Sequence, residues 1–154
     1  MNAFFKRHIR RLVNYWPPFL GASIRVTRWD ADWRAIDVDL RLRPWSANFV
    51  GTLYGGSLYS MADPFYMLML IENLGPGYIV WDKSASIRFR RPGRGRVSAQ
   101  FRLSEAQLGD IRGALNEADK IERTFSVNVV SDTGEVIAEV QKVIHIRKKP
   151  AAGS

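Results

Sequence analysis

The chain has 154 residues, 46% of them hydrophobic, which suits one globular domain with a single core and excludes a disordered polymer. It has no cysteine and only two histidines, His8 and His145. Disulfides, thiolate metal sites and a cysteine nucleophile are excluded, and a multi-histidine metal centre or a Ser-His-Asp triad is not expected. The formal net charge of +8 favours anionic partners: nucleic acid, anionic lipid or a phosphate-bearing cofactor.

Residues 3–13 read as a short amphipathic helix, with Phe5, Ile9, Leu12 and Val13 on one side and Lys6, Arg7, Arg10 and Arg11 crowding the rest. It can cap the domain's own apolar surface or make weak contact with a membrane surface. No uninterrupted apolar stretch follows these basic residues, as a signal peptide would require. No run reaches the roughly 18 apolar residues of a membrane span. A cytoplasmic protein is expected. Trp16-Pro17-Pro18 ends the helix, which divides the chain into residues 1–14, a domain over 15–147 and a loose tail over 148–154.

Strand patterns follow. Ala22–Thr27 is one. Arg34–Leu42 is clearer, with Ile36, Val38, Leu40 and Leu42 alternating with Asp37, Asp39 and Arg41, the mark of one buried and one wet face. Residues 57–72 form the one long apolar segment, rich in Leu and Met, and predict a helix buried on most sides. Asn73-Leu-Gly-Pro-Gly77 stops it, with Gly75 as its cap. Ile79–Arg90 places Trp81, Ala85, Ile87 and Phe89 on one face. Lys83 is in phase with them, so either the register slips there or the lysine reaches a pocket or interface. Arg96–Leu103 alternates through Val97, Ala99 and Phe101. Ser104-Glu-Ala-Gln107 has the form of a capping box opening a short helix or loop. Arg123–Val130 alternates through Phe125, Val127 and Val129, Asp132-Thr133-Gly134 is a hairpin turn, and a last strand spans residues 135–147 with His145 in it. Six strands at short spacing predict one antiparallel sheet curling around a single apolar helix, an α+β architecture.

The chemistry concentrates in Asn48 to Asp63. Gly55-Gly56 stands just ahead of the long apolar run, and Asp63 lies seven residues after Gly56. Glycine lets bare backbone N–H groups approach a ligand, and a helix start leaves such groups unpaired. An acid two turns on shares nearly the same face. The diglycine is an oxyanion cradle or a simple turn. Asp63 faces the site from a continuous or kinked helix, or merely caps a helix that begins at Pro64, which would otherwise remove the hydrogen bond to the Ser60 carbonyl. Tyr59 and Tyr66, at i−4 and i+3 from Asp63, line a pocket or pack the core. Arg88, Arg90, Arg91, Arg94 and Arg96 fall within nine positions, a phosphate-binding set or a solvated basic face.

This order of elements resembles the hotdog fold, a curved antiparallel sheet wrapped around one long helix. Asn48, Gly51-Thr52, Tyr54-Gly55-Gly56 and Asp63 resemble the site segment of phenylacetate-type acyl-CoA thioesterases, and Phe89-Arg90-Arg91-Pro92-Gly93 is similar to the stretch closing their third strand. Asp63-Pro64 and Val80-Trp81-Asp82-Lys83 resemble a hotdog branch known mainly as domains of unassigned function. The resemblance covers about residues 15–147 and implies an acyl-CoA thioesterase, a hydrolase. Asp63 would be general base or nucleophile, Gly56 N–H the oxyanion donor, and Asn48 the group that orients water or carbonyl. It also implies a homodimer or homotetramer with sites lined by two subunits, and no cofactor beyond the coenzyme A of the substrate. Arg88, Arg90, Arg91 and Arg94 are the candidates for its phosphates. Tyr54 stands where those enzymes usually have histidine, and tyrosine cannot easily exchange protons near pH 7. A non-catalytic acyl-CoA or lipid-binding protein is therefore the alternative. A nucleic-acid partner is not expected, because no recognition motif accompanies the charge.

Overall fold

The computed structural model describes residues 8, 9 and 12–150. Most of the predicted 3–13 helix lies outside them. Residues 8, 9 and 12 are helical, and Ile9 and Val13 are buried while Leu12 is exposed. A 3-10 turn over Val13–Tyr15 leads into α1 (Pro17–Ala22), which has proline in its first turn, where a missing N–H is harmless.

Six strands form one antiparallel sheet: β1 (Ile24–Trp29), β2 (Ala35–Arg41), β3 (Tyr78–Phe89), β4 (Arg96–Arg102), β5 (Lys120–Ser131) and β6 (Val136–Lys148). Their order is β1-β2-β4-β5-β6-β3. The alternation read from the sequence holds in the centre, where Ile36, Val38 and Leu40 of β2, Val97, Ala99 and Phe101 of β4, and Phe125, Val127 and Val129 of β5 are buried. Asp39 is buried as well, on the side expected to be wet, and is paired with Arg96 at 2.9 Å. The hairpin at Asp132–Gly134 forms as expected, with Gly134 at φ 81° and Ser131 N–H donating to Glu135 O.

Between β2 and β3 the chain crosses the inner face of the sheet as two helices rather than the single long one predicted. These are α2 (Gly55–Ser60) and α3 (Phe65–Leu74). The helix tightens at Ala62 N–H to Tyr59 O, loosens at Asp63 N–H to Ser60 O (3.4 Å), and restarts with Pro64 as N-cap. The cause is Pro64, which has no N–H to offer the preceding turn. Asp63 makes no side-chain cap on α3, so the capping alternative fails as well. Phe65, Tyr66, Met69 and Leu70 of α3 are buried, and Phe65 and Tyr66 meet Phe101 with ring centroids 4.9 and 5.3 Å apart. Tyr66 also stacks on Phe125 and donates to Ser126 O, which is core packing. Gly75, at φ 83°, ends α3.

The segment after Leu103 is a full helix, α4 (Glu105–Glu117), where a short helix or loop was expected. Its capping box is complete: Ser104 Oγ accepts from Gln107 N–H, and Gln107 Oε1 accepts from Ser104 N–H. Burial of Leu108, Ile111 and Leu115 outweighs its two glycines.

β3 departs furthest from the simple pattern. A bulge between Asp82 and Ser84 absorbs Lys83, so Trp81 pairs with His145 while Ala85 pairs with Lys142 and Ile87 with Val140. Trp81 is thus on the opposite face from Ala85, Ile87 and Phe89, not the same one. Lys83 reaches Glu122 at 2.5 Å on the outside, so the register does slip there, and the lysine also lines an outer depression with Trp81, Glu122 and His145. His145 stacks on Trp81 on that outer face. β3 pairs only with β6, and none of its twelve residues is buried. At the C-terminus, Lys148 closes β6 opposite Tyr78 and Lys149 N–H donates to Gly77 O, so the ordered chain runs past the expected start of the tail. Among the described residues no helix is long and apolar enough to cross a membrane.

Candidate functional site

The loop before α2 is built by Asn48. Its Oδ1 accepts from Val50 N–H (3.1 Å) and Thr52 N–H (2.9 Å), and its Nδ2 donates to Thr52 Oγ1 (2.8 Å). Gly51 turns the loop at φ 75°. Leu53 N–H donates to Gly93 O, which ties this loop to the one between β3 and β4. The side chain of Asn48 is therefore occupied by its own loop.

Between the two loops lies a groove of about 510 Å³. It is lined by Asn48, Gly55 and Phe89 together with Arg90, Arg91 and Arg94. Arg90 pairs with Glu139 at 2.8 Å, holding that carboxyl below the usual range, and Arg91 pairs with Glu135 at 2.9 Å. Arg94 has no ion-pair partner among the described residues. Arg88 lines a separate depression with Ser126 and Glu139.

At the floor, Phe89 packs on Gly55 so closely that a β-carbon there would lie 2.9 Å from Cζ of the ring. The ring of Tyr54 folds over Gly56 in the same way, with Cζ 2.9 Å from where a β-carbon would stand. Gly55 N–H and Gly56 N–H, the first two donors of α2, have no acceptor among the described residues. Tyr54 is more than half exposed.

Asp63 is not in this groove. It sits at the α2–α3 break, its side chain 49% exposed, within a cluster to which α2, β3 and β6 each contribute one side chain. Its Oδ1 accepts from Tyr59 Oη (2.9 Å) and from Lys142 Nζ (3.0 Å), while Oδ2 has no hydrogen-bond partner among the described residues. Lys142 also donates to the backbone carbonyl of Asp63 and to Asp82 Oδ2 at 2.7 Å. Burial and then the bond to Asp63 push the Tyr59 hydroxyl up to about 12, so it stays a donor at any working pH.

Lys142 is the site residue that reading the sequence missed. It is fully buried. The signal was present, since Lys142 is in phase with buried Val140, Ile144 and Ile146 on β6. Asp82 could not be recognised without the bulge, which turns it inward opposite Ile144.

Comparison with known proteins places this architecture. PA5026 from Pseudomonas aeruginosa, a protein of unknown function and probable thioesterase, is similar at a TM-score of 0.77 and 20% identity, over 97% of each chain. A protein of unknown function from Chlorobaculum tepidum matches at 0.71 and 15% identity over 94% of each chain. A thioesterase from Haemophilus influenzae matches at 0.66 and 11%, over 94% of this chain and 92% of that one. At these identities the likeness is one of fold, the hotdog type. No curated protein matches the sequence. A family model covers residues 5–146, and the chain belongs to that family, the domain of unknown function DUF4442.

Proposed function

We propose that this protein hydrolyses an acyl thioester, with Asp63 as the base that activates water. The observation that carries the reading is the state of Asp63: a half-exposed carboxylate with Oδ1 held by two donors and Oδ2 open. A general base needs a free acceptor oxygen in a fixed direction beside a partly desolvated site. Water, losing its proton to Oδ2, attacks the carbonyl carbon; the C–S bond then breaks, and the leaving sulfur takes the proton. A nucleophilic Asp63 reaches the same products through an anhydride that water opens. The developing oxyanion is assigned to Gly56 N–H, with its neighbour Gly55 beside it. Asn48 shapes the loop ahead of them. Orienting water or carbonyl would require one of its loop bonds to give way.

Coenzyme A is the carrier that the groove suits. Arg90, Arg91 and Arg94 offer forked donors to its phosphates beside Gly55. The groove and Asp63 are separate within one chain, which favours a site completed by a second copy. The open edge of β3, with its exposed Phe89, is where that copy would pair. Sedimentation should give a homodimer or a homotetramer built from it; a monomer at working concentration would count against a shared site.

The test of activity is a panel of acyl-CoAs of increasing chain length with a thiol-trapping reagent, run on wild type and Asp63→Asn. Turnover by wild type and its loss in Asp63→Asn is expected. One observation favours a second reading, an acyl-CoA-binding protein without catalysis: Tyr54 lies over Gly56 where the thioesterases it resembles have histidine. Binding of acyl-CoA without hydrolysis on any chain length would establish that reading instead.

A further inference from the structure

We propose that Lys142 is a positioning residue for Asp63. The proposal rests on the thioesterase reading and goes beyond it by assigning a residue of β6 to the site. A lysine side chain buried completely is unusual, and its ammonium must be compensated. Here the compensation comes from two carboxylates and one carbonyl. Nζ donates to Asp82 Oδ2 at 2.7 Å, to Asp63 Oδ1 at 3.0 Å and to the Asp63 carbonyl.

The carbonyl contact follows from the sequence. Pro64 stops α2 and restarts the chain as α3, so the Asp63 carbonyl belongs to neither helix and receives no backbone N–H. A buried carbonyl without a donor is costly. Lys142 supplies the donor and grips the carboxylate of the same residue. Backbone and side chain of Asp63 are thereby fixed by one group on β6, a strand paired on both sides. Tyr59 takes the second bond to Oδ1, which leaves Oδ2 as the single oxygen available to water. Rigid support of this kind is what a base needs, because a misplacement of about 1 Å can cost about a hundredfold in rate.

The cluster also sets the charge. The groups facing Asp63 are Tyr59 from α2, Asp82 from β3 and Lys142 from β6. Lys142 is the only cation among them. Without it two carboxylates would face the same pocket with no cation between them.

The experiment uses the full chain and the thioester that wild type turns over, with Asp63→Asn and Lys142→Met, the latter keeping the apolar stem. For Lys142→Met we expect kcat to fall about a hundredfold with KM within about twofold. The acid limb of its kcat–pH profile should move to higher pH. If Lys142→Met does not fold, Lys142→Gln, which keeps a polar donor in the cavity but no charge and leaves both carboxylates in place, is read in the same way. Wild-type kcat and profile in the lysine variant, beside an inactive Asp63→Asn, would overturn the lysine role alone. So would a lower kcat with an unmoved profile, the mark of packing. An inactive wild type across the panel would overturn the thioesterase reading, and this role with it.

Discussion

Lys142 Nζ lies 2.7 Å from Asp82 Oδ2, and the ammonium has 1% of its side-chain surface exposed against 24% for the carboxylate. Removing one partner of such a pair leaves a buried charge without its counterion. Asp82→Ala should therefore destabilise the protein by about 2–4 kcal/mol, toward the lower end because Asp63 still faces the ammonium. Urea unfolding measures it. The lysine one residue from Asp82, Lys83, is paired with Glu122 in water, and Lys83→Ala should leave the midpoint unchanged. Equal effects from the two substitutions would contradict the bulge that separates them.

Tyr54 and Gly56 form a tight contact that a methyl group cannot enter without moving the ring. Gly56→Ala should push this exposed ring aside and cost less than about 1 kcal/mol, because alanine's better helix propensity offsets part of the overpacking. Tyr54→Ala in the same background should recover most of that loss, because it removes the obstruction. A double variant no more stable than Gly56→Ala would mean that the backbone at Gly56, rather than the ring, resists the methyl.

The Tyr59 hydroxyl, raised to about 12 chiefly by burial, has a folded-state value above its unfolded one. Its contribution to stability is fully present below about pH 10, the ordinary tyrosine value, and is lost as pH rises toward 12. Ultraviolet titration should find two late-ionising tyrosines, Tyr59 and Tyr66, both raised chiefly by burial, of which Tyr59→Phe removes one, and Tyr59→Phe should flatten the alkaline loss of stability. A Tyr59→Phe protein with the same alkaline limb as wild type would contradict the assignment.

The arginine groove predicts a salt-sensitive site. Arg94→Ala should weaken coenzyme A binding, and adding Arg90→Ala and Arg91→Ala to make a triple variant should weaken it further, with a shallower dependence on ionic strength. Arg28→Ala, on β1 and paired with Asp30, serves as the control. Calorimetric titration at two salt concentrations distinguishes these outcomes. Unchanged affinity in the triple variant would remove the arginines from the account.

Much of this fold could be read from residue types because its central strands alternate cleanly: Ile36, Val38 and Leu40 of β2, Val97, Ala99 and Phe101 of β4, and Phe125, Val127 and Val129 of β5 recur at every second position, and burial follows. Where the pattern carried two meanings the structure was needed. Pro64 can begin a helix or bend one, and the outcome here is a break with Pro64 as N-cap, a balance set by the packing of Phe65 and Tyr66 on Phe101. Lys83 marked the register slip, but the slip's consequence was hidden, since only a bulge turns Asp82 inward. Lys142 sits in phase with buried neighbours, yet a strand lysine is read as wet unless its counterions are known. Those counterions are sixty and seventy-nine residues away in sequence. The segment from Asn48 to Asp63 was legible as a place where chemistry gathers. Its division into an arginine-lined groove and a separate lysine-held carboxylate was not.

The central claim is that Asp63 does chemistry on a thioester. Its most direct measurement is release of free coenzyme A from a graded acyl-CoA panel by wild type and by Asp63→Asn, both shown to be folded. Turnover on at least one chain length is expected, with a loss of about a hundredfold or more in kcat for Asp63→Asn. Full turnover by Asp63→Asn, or none by wild type on any chain length, would contradict it.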